Sequence, residues 1–248
     1  MLRSTNELIG YKIEASDGEL GRAKDFLFDD HSWVVRYLVA ETGNWLQDRQ
    51  VLLSPQAMRE PDWIRGVIPV ALTRTQVENS PGIESDLPVS RQHEQRLAEY
   101  YNWQPYWQQQ DVPFGAPVLL LPVPTAVSAQ HSGKREPAGD PNLRSVIELT
   151  GYHIHASDGD IGHVAEFLVQ TEGWVIRYLV VDTHNWLPGK KILVSPAWVK
   201  RVDWDEKSLH VDLSRQAIRG SVEFDPAAPV NREYEARLYD YYGRPKYW

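Results

Sequence analysis

The chain has 248 residues, a formal net charge of −8 and no cysteine. The lack of cysteine excludes disulfides, iron–sulfur clusters and thiol catalysis. The acidic balance argues against nucleic acid as a partner, because proteins that bind phosphate backbones carry a basic face. The length allows two domains of about 100 residues, each with its own core.

No segment of the sequence is a candidate for crossing a membrane. The first residues lack the apolar run of a signal peptide, and no stretch approaches the roughly 20 apolar residues that span a bilayer. The most apolar segment, residues 118–121, is bounded by Pro117 and Pro122. We therefore expect a cytoplasmic protein, or one that associates peripherally with a membrane complex.

The chain contains an internal repeat. Residues 10–18 (GYKIEASDG) return as residues 151–159 (GYHIHASDG). The same offset carries residues 33–39 (WVVRYLV) onto residues 174–180 (WVIRYLV). An ungapped match over this length indicates a duplicated domain.

We predict a first copy at residues 1–107 and a second copy at residues 142–248. Between them, residues 108–141 are rich in proline and poor in charge, as in an extended linker. The centre of the linker contains Leu119 and Leu120 and is too apolar for a bare tether. We expect it to pack on its own protein or to bind a partner.

Each copy begins with a predicted β-hairpin. Tyr11, Ile13 and Ala15 alternate on one face of an extended segment, and Asp17-Gly18 suit a tight turn. Further strands are predicted at residues 26–28, 33–40, 51–53 and 67–72, separated by turn residues. Short strands at this spacing favour a small antiparallel barrel.

Helices are predicted after the strands. Thr73 and Gln76 have the spacing of a capping box. A longer helix follows Ser90 in the first copy and Asn231 in the second, and both residues are good N-caps. An aromatic tail ends each copy, and we expect helix and tail to pack on a barrel, of the same copy or of the other.

Three blocks of the first copy, residues 10–21, 33–39 and 51–55, resemble a PRC-barrel domain, and the second copy matches equally well. This family includes the cytoplasmic domain of the photosynthetic reaction centre H subunit and the C-terminal domain of the bacterial ribosome maturation factor for 16S rRNA processing. The resemblance covers residues 6–80 and 147–221. It implies a mainly β chain with two small antiparallel barrels, each followed by short C-terminal helices.

The resemblance also implies a protein that acts by contact rather than by chemistry. Our first hypothesis is a non-enzymatic adaptor, without a cofactor, that docks a larger protein assembly. The alternative is a peripheral regulator of a membrane electron-transfer complex, similar to the H subunit. The barrels could pair within one chain or between two chains, and we predict an intramolecular pair.

Arg36 and Arg177 are candidate partner-binding residues. Strand alternation places each beside apolar neighbours, so each guanidinium needs a carboxylate or carbonyl, or a partner protein. The predicted internal partners are Asp25 or Asp62 for Arg36, and Glu166 or Asp203 for Arg177.

Trp45 and Trp186 lie in a connection between strands, where a large aromatic residue either closes a barrel end or anchors an interface. With the arginines and the linker leucines they complete the set of partner-binding candidates: Arg36, Trp45, Arg177, Trp186, Leu119 and Leu120.

Histidines distinguish the second copy from the first. His153 and His155 alternate on a strand, so both rings can face one metal ion. The sequence identifies no third ligand, so a solvated strand face is the competing interpretation. A metal-dependent enzyme rests on these histidines alone, because the sequence contains none of the common catalytic motifs. We therefore predict that the protein is not an enzyme.

Overall fold

The computed structural model describes residues 1–46, 49–82, 89–108, 142–183 and 190–248, without the side chains of Asn44 and Trp45. The chain is mainly β, as the sequence predicts. Among the described helices, none combines the length and the apolar composition that a membrane crossing requires.

The second copy repeats the six strands of the first and adds one, β12 (Val199–Asp203). Those of the first copy are β1 (Leu2–Ser4), β2 (Lys12–Ala15), β3 (Gly18–Asp29), β4 (Val34–Glu41), β5 (Gln50–Leu53) and β6 (Val67–Pro69). Those of the second copy are β7 (Leu143–Ser145), β8 (His153–Ala156), β9 (Gly159–Gln170), β10 (Val175–Asp182), β11 (Lys191–Val194), β12 (Val199–Asp203) and β13 (Ser208–Val211).

Three helices belong to each copy. They are α1 (Thr5–Leu8), α2 (Arg74–Glu78) and α3 (Arg91–Tyr101), then α4 (Val146–Leu149), α5 (Arg215–Gly220) and α6 (Arg232–Tyr242). The predicted caps are confirmed. Ser90 accepts a hydrogen bond from the backbone of His93 at the start of α3, and Asn231 does the same for Tyr234 at α6.

The strands of both copies join in one mixed sheet. Among the described residues, nine of the thirteen strands follow one path in the order β12, β13, β8, β9, β10, β4, β3, β2, β6, and β1, β5, β7 and β11 pair with strands of that path from outside it. The copies meet where β4 pairs with β10, with Val34 opposite Val175. The predicted antiparallel pairing holds for most neighbours, but β6 lies parallel to β2 and β13 lies parallel to β8.

The first strand of each copy pairs with the other copy. β1 lies along β9, with Ser4 opposite Leu168, and β7 lies along β3, with Leu27 opposite Ser145. The strand β3 has 12 residues, whereas β2 has 4 and pairs only with its first part. The exchanged strand therefore occupies the stretch of edge that the short hairpin partner leaves open.

Polar contacts accompany each exchange. Ser145 donates its hydroxyl hydrogen to the buried carboxylate of Asp25, which also accepts the backbone N–H of Ile147 at 3.2 Å. Burial raises the pKa of the Asp25 carboxyl. In the reciprocal place, Ser4 donates to Glu166.

The hydrophobic core is continuous across the junction of the copies. The largest cluster of described buried side chains contains residues of both copies. The Phe28 ring stacks on Trp33 at 5.2 Å and lies 6.3 Å from Phe167 of the second copy. The Phe26 ring stacks on Trp174 at 5.8 Å. Both copies therefore contribute strands to one sheet and side chains to one main core.

Each long hairpin strand, β3 and β9, contains a glycine with positive φ. Gly21 and Gly162 have φ values of +150° and +138°. A Cβ at Gly21 would collide with the backbone carbonyl of Glu41, and one at Gly162 with that of Asp182. The close approach of two strands thus requires glycine at these positions.

Candidate interaction surfaces

Arg36 contacts the aromatic tail of its own copy. Its guanidinium lies 4.2 Å from the ring centroid of Tyr106, within the range of a cation–π interaction. It also donates to the Ser32 hydroxyl at 3.1 Å and lies 4.0 Å from the Asp29 carboxylate. Burial lowers the pKa of Arg36.

A buried glutamate holds helix α3 and the tail on the sheet. The side chain of Glu94 is fully buried and accepts a hydrogen bond from the Tyr106 hydroxyl at 2.8 Å. Arg91 lies 3.1 Å from the same carboxylate. Burial and the adjacent Glu94 raise the pKa of the Tyr37 hydroxyl, so it stays protonated as a donor to that carboxylate.

The second copy builds the same network. Glu235 accepts hydrogen bonds from the hydroxyls of Tyr178 at 2.9 Å and Tyr247 at 2.6 Å. The guanidinium of Arg177 lies 4.3 Å from the Tyr247 ring centroid and donates to Gln170 at 2.8 Å. In each copy, the long helix and the aromatic tail therefore pack on the strands of the same copy.

The predicted carboxylate partners of Arg36 were wrong, because the carboxylate that lies 4.0 Å from its guanidinium is that of Asp29. The pairing of Arg177 with Glu166 or Asp203 stays a prediction. Asp25 binds Ser145 of the other copy, and Asp62 lies 3.9 Å from Arg65. The sequence does contain a signal for the true network, because the glutamate of each long helix and the tyrosine of each tail recur at matching positions.

Several candidate residues fall outside the described part of the chain. Residues 109–141 and 184–189 are not described, which leaves out Leu119, Leu120 and Trp186. Trp45 lies in a 3₁₀ turn, Gly43–Leu46, but its side chain is not described. Their role as interface anchors stays a prediction.

The described histidines of the second copy lie on three adjacent strands, β13, β8 and β9. His155 bonds through Nδ1 to the Asp160 carboxylate, and its ring stacks on that of His210 at 4.9 Å. Arg201 contacts Nε2 of His210 at 2.9 Å. His153 lies opposite His163 instead. The ring that stacks on His155 is thus that of His210. The sequence suggested His153 instead.

A search of the described residues finds no group of three histidine, aspartate or glutamate side chains placed to hold a metal ion. The histidine face carries a stacked pair with a carboxylate on one side and a guanidinium on the other. Burial, then Arg201 and His155, lower the pKa of His210.

The sequence matches no protein-family model, and no curated protein matches it.

Proposed function

We propose that this protein is a non-enzymatic adaptor in the cytoplasm, made of two PRC-type barrels paired within one chain, which docks a larger protein assembly. The observation that supports the proposal is the reciprocal strand exchange, in which β1 pairs with β9 and β7 pairs with β3. Two shared strands and a shared core hold the surfaces of the copies at a fixed separation. Two weak contacts held in this way add to a much tighter one when the partner offers both sites.

The two copies also present similar residues to solvent. Tyr100 and Tyr241 occupy matching positions near the ends of α3 and α6, and 42% and 44% of each residue is exposed. Each hydroxyl donates to a backbone carbonyl of the preceding short helix, at 2.9 Å and 2.8 Å. Their similar orientation supports a model in which each copy offers one contact of the same kind.

The test uses the whole chain, because each copy lacks part of its sheet without the other. Immobilised protein is exposed to a fractionated native extract, and retained proteins are identified by mass spectrometry. Wild type is compared with Trp45→Ala, Trp186→Ala and the double variant. A change at the exposed Ile64, Ile64→Ala, is the control.

If both copies bind one assembly, either single tryptophan variant retains it about 10²- to 10⁴-fold more weakly, because a bivalent contact becomes monovalent. Retention of the same assembly by all variants would contradict anchoring through these tryptophans. If the retained assembly is a membrane electron-transfer complex, the protein is an adaptor that regulates this complex from the membrane surface. Failure of the wild type to retain any defined assembly would overturn the proposal.

A further inference from the structure

The two copies differ in the volume of the side chains that pack beneath the long helices α3 and α6. In the second copy, Trp198 is 3% exposed and packs against the Tyr239 ring at 5.3 Å and the Tyr242 ring at 4.9 Å. The first copy has Ala57 at the position of Trp198 and Ala98 at the position of Tyr239. Two large aromatic rings are therefore replaced by methyl groups.

A cavity of about 420 Å³ lies beside Ala57 in the first copy. One wall is formed by Tyr101 and Trp103, whose rings stack on each other at 4.2 Å with an angle of 16°. The volume lies within the range of small-molecule sites. Ala57 thus lines an open space, whereas Trp198, at the same position of the second copy, is buried against aromatic rings.

The two copies also differ in charge at the positions that border this cavity. In the second copy, Arg244 donates to the backbone carbonyl of Asp212 at 2.7 Å and to its carboxylate at 3.1 Å. The matching residues of the first copy are Trp103 and Ala71, which both line the cavity. Among the described residues that line it, none carries a formal charge. An ionic ligand would therefore lose hydration there without gaining a countercharge.

Gln76 supplies a polar group at the cavity. Its Oε1 atom accepts the backbone N–H of Thr73 at 2.8 Å in the capping box of α2. The amide hydrogens on Nε2 are the donors that this side chain can offer to a ligand. The second copy has Ala217 at the matching position and no such donor there.

We propose that the first copy binds a neutral ligand with a planar aromatic ring, of indole or phenol size, in the cavity between Ala57 and the Tyr101–Trp103 stack. The second copy is the internal precedent, because the indole ring of Trp198 stands at the position that Ala57 has in the first copy and packs there against the Tyr242 ring. A polar substituent on the ring would accept a hydrogen bond from Gln76. The inference does not rest on the adaptor role, and either can fail alone.

The experiment measures binding of two probes to the full chain by isothermal titration calorimetry, with saturation-transfer NMR for weak binding. Indole represents a free small molecule, and N-acetyl-tryptophanamide represents the side chain of a peptide. The principal variant is Ala57→Trp, which places the residue of the second copy against the cavity. Ile64→Trp adds a tryptophan at an exposed position and is the matched control.

We expect one site in the wild type and in the control, and at least a tenfold loss of affinity in Ala57→Trp. Trp103→Ala removes one wall of the cavity without adding volume, so it tests the site even where Ala57→Trp folds poorly, and it should also lose at least tenfold. Tighter binding of indole assigns a free ligand, and tighter binding of the amide assigns a peptide side chain. No binding of either probe at millimolar concentration, or unchanged binding in both Ala57→Trp and Trp103→Ala, would overturn the inference.

Discussion

Ser145 donates a hydrogen bond to the carboxylate of Asp25, although the two residues are 120 positions apart in the sequence and belong to different copies. The hydrogen bond lies where β7 of the second copy pairs with β3 of the first. It also places an acidic group in a buried setting, where burial raises its pKa.

The first prediction concerns the pH dependence of stability at this contact. Because the pKa of Asp25 is raised in the folded state, the folded protein binds more protons than the unfolded chain at pH values between the unfolded and folded pKa. Stability from this group is therefore present below the unfolded pKa and is lost as the pH rises through the folded pKa. In Asp25→Asn this dependence should disappear, so the variant gains stability relative to wild type between acidic and neutral pH. Urea unfolding across that range measures it, and two parallel profiles would contradict the assignment.

The second prediction is that both copies unfold together. Phe28 packs on Trp33 of its own copy and faces Phe167 of the other, so Phe28→Ala should cost about 3–5 kcal/mol. Calorimetry should show one transition at a lower temperature. Hydrogen exchange read by mass spectrometry should lose protection in β9 and β10 as well as in β3 and β4. Loss confined to the first copy would show that the copies are independent units.

The third prediction concerns the buried carboxylate that holds α3. Glu94→Ala leaves the hydroxyls of Tyr37 and Tyr106 without their acceptor, at a cost of about 1–3 kcal/mol for each buried group. Chemical denaturation measures the difference in the free energy of unfolding. Glu99→Ala, at an exposed position of the same helix, is the control and should change stability by less than about 0.5 kcal/mol. Equal effects of the two changes would argue against the network.

The fourth prediction compares two glycines with positive φ. At Gly10 the space around a Cβ is open, so Gly10→Ala meets only backbone strain of about 1–3 kcal/mol. At Gly21 a Cβ also collides with the carbonyl of Glu41, which adds about 1–3 kcal/mol. Thermal unfolding of the two variants should therefore rank Gly21→Ala as the less stable. A less stable Gly10→Ala would mean that β3 and β4 can move apart at Gly21.

The fifth prediction concerns the aromatic filling of the second copy. Trp198→Ala should cost about 3–5 kcal/mol, because it empties a space lined by Tyr239 and Tyr242. Urea unfolding measures the cost, with Ile64→Ala as an exposed control. A loss below about 1 kcal/mol would show that the neighbouring rings collapse into the space.

The sequence by itself determined the local structure of this protein. Alternation predicted the hairpin strands, and Ser90, Asn231 and the Thr73–Gln76 box predicted where helices begin. These features depend on residues a few positions apart, so the sequence of one copy is enough to predict them. The duplication then predicted that the two copies share the same elements.

The tertiary structure alone decided which distant residues meet. Strands of three residues, β1 and β7, carry too little pattern to be predicted, and their exchange depends on the edge that β3 and β9 leave open. The stacking of His155 on His210 follows from the pairing of β8 with β13, and the contact of Arg36 with Tyr106 follows from the packing of the tail on the sheet. The cavity beside Ala57 follows from side-chain volumes that meet across separate elements. Such contacts join positions far apart in the chain, and their geometry is settled only when the whole core packs.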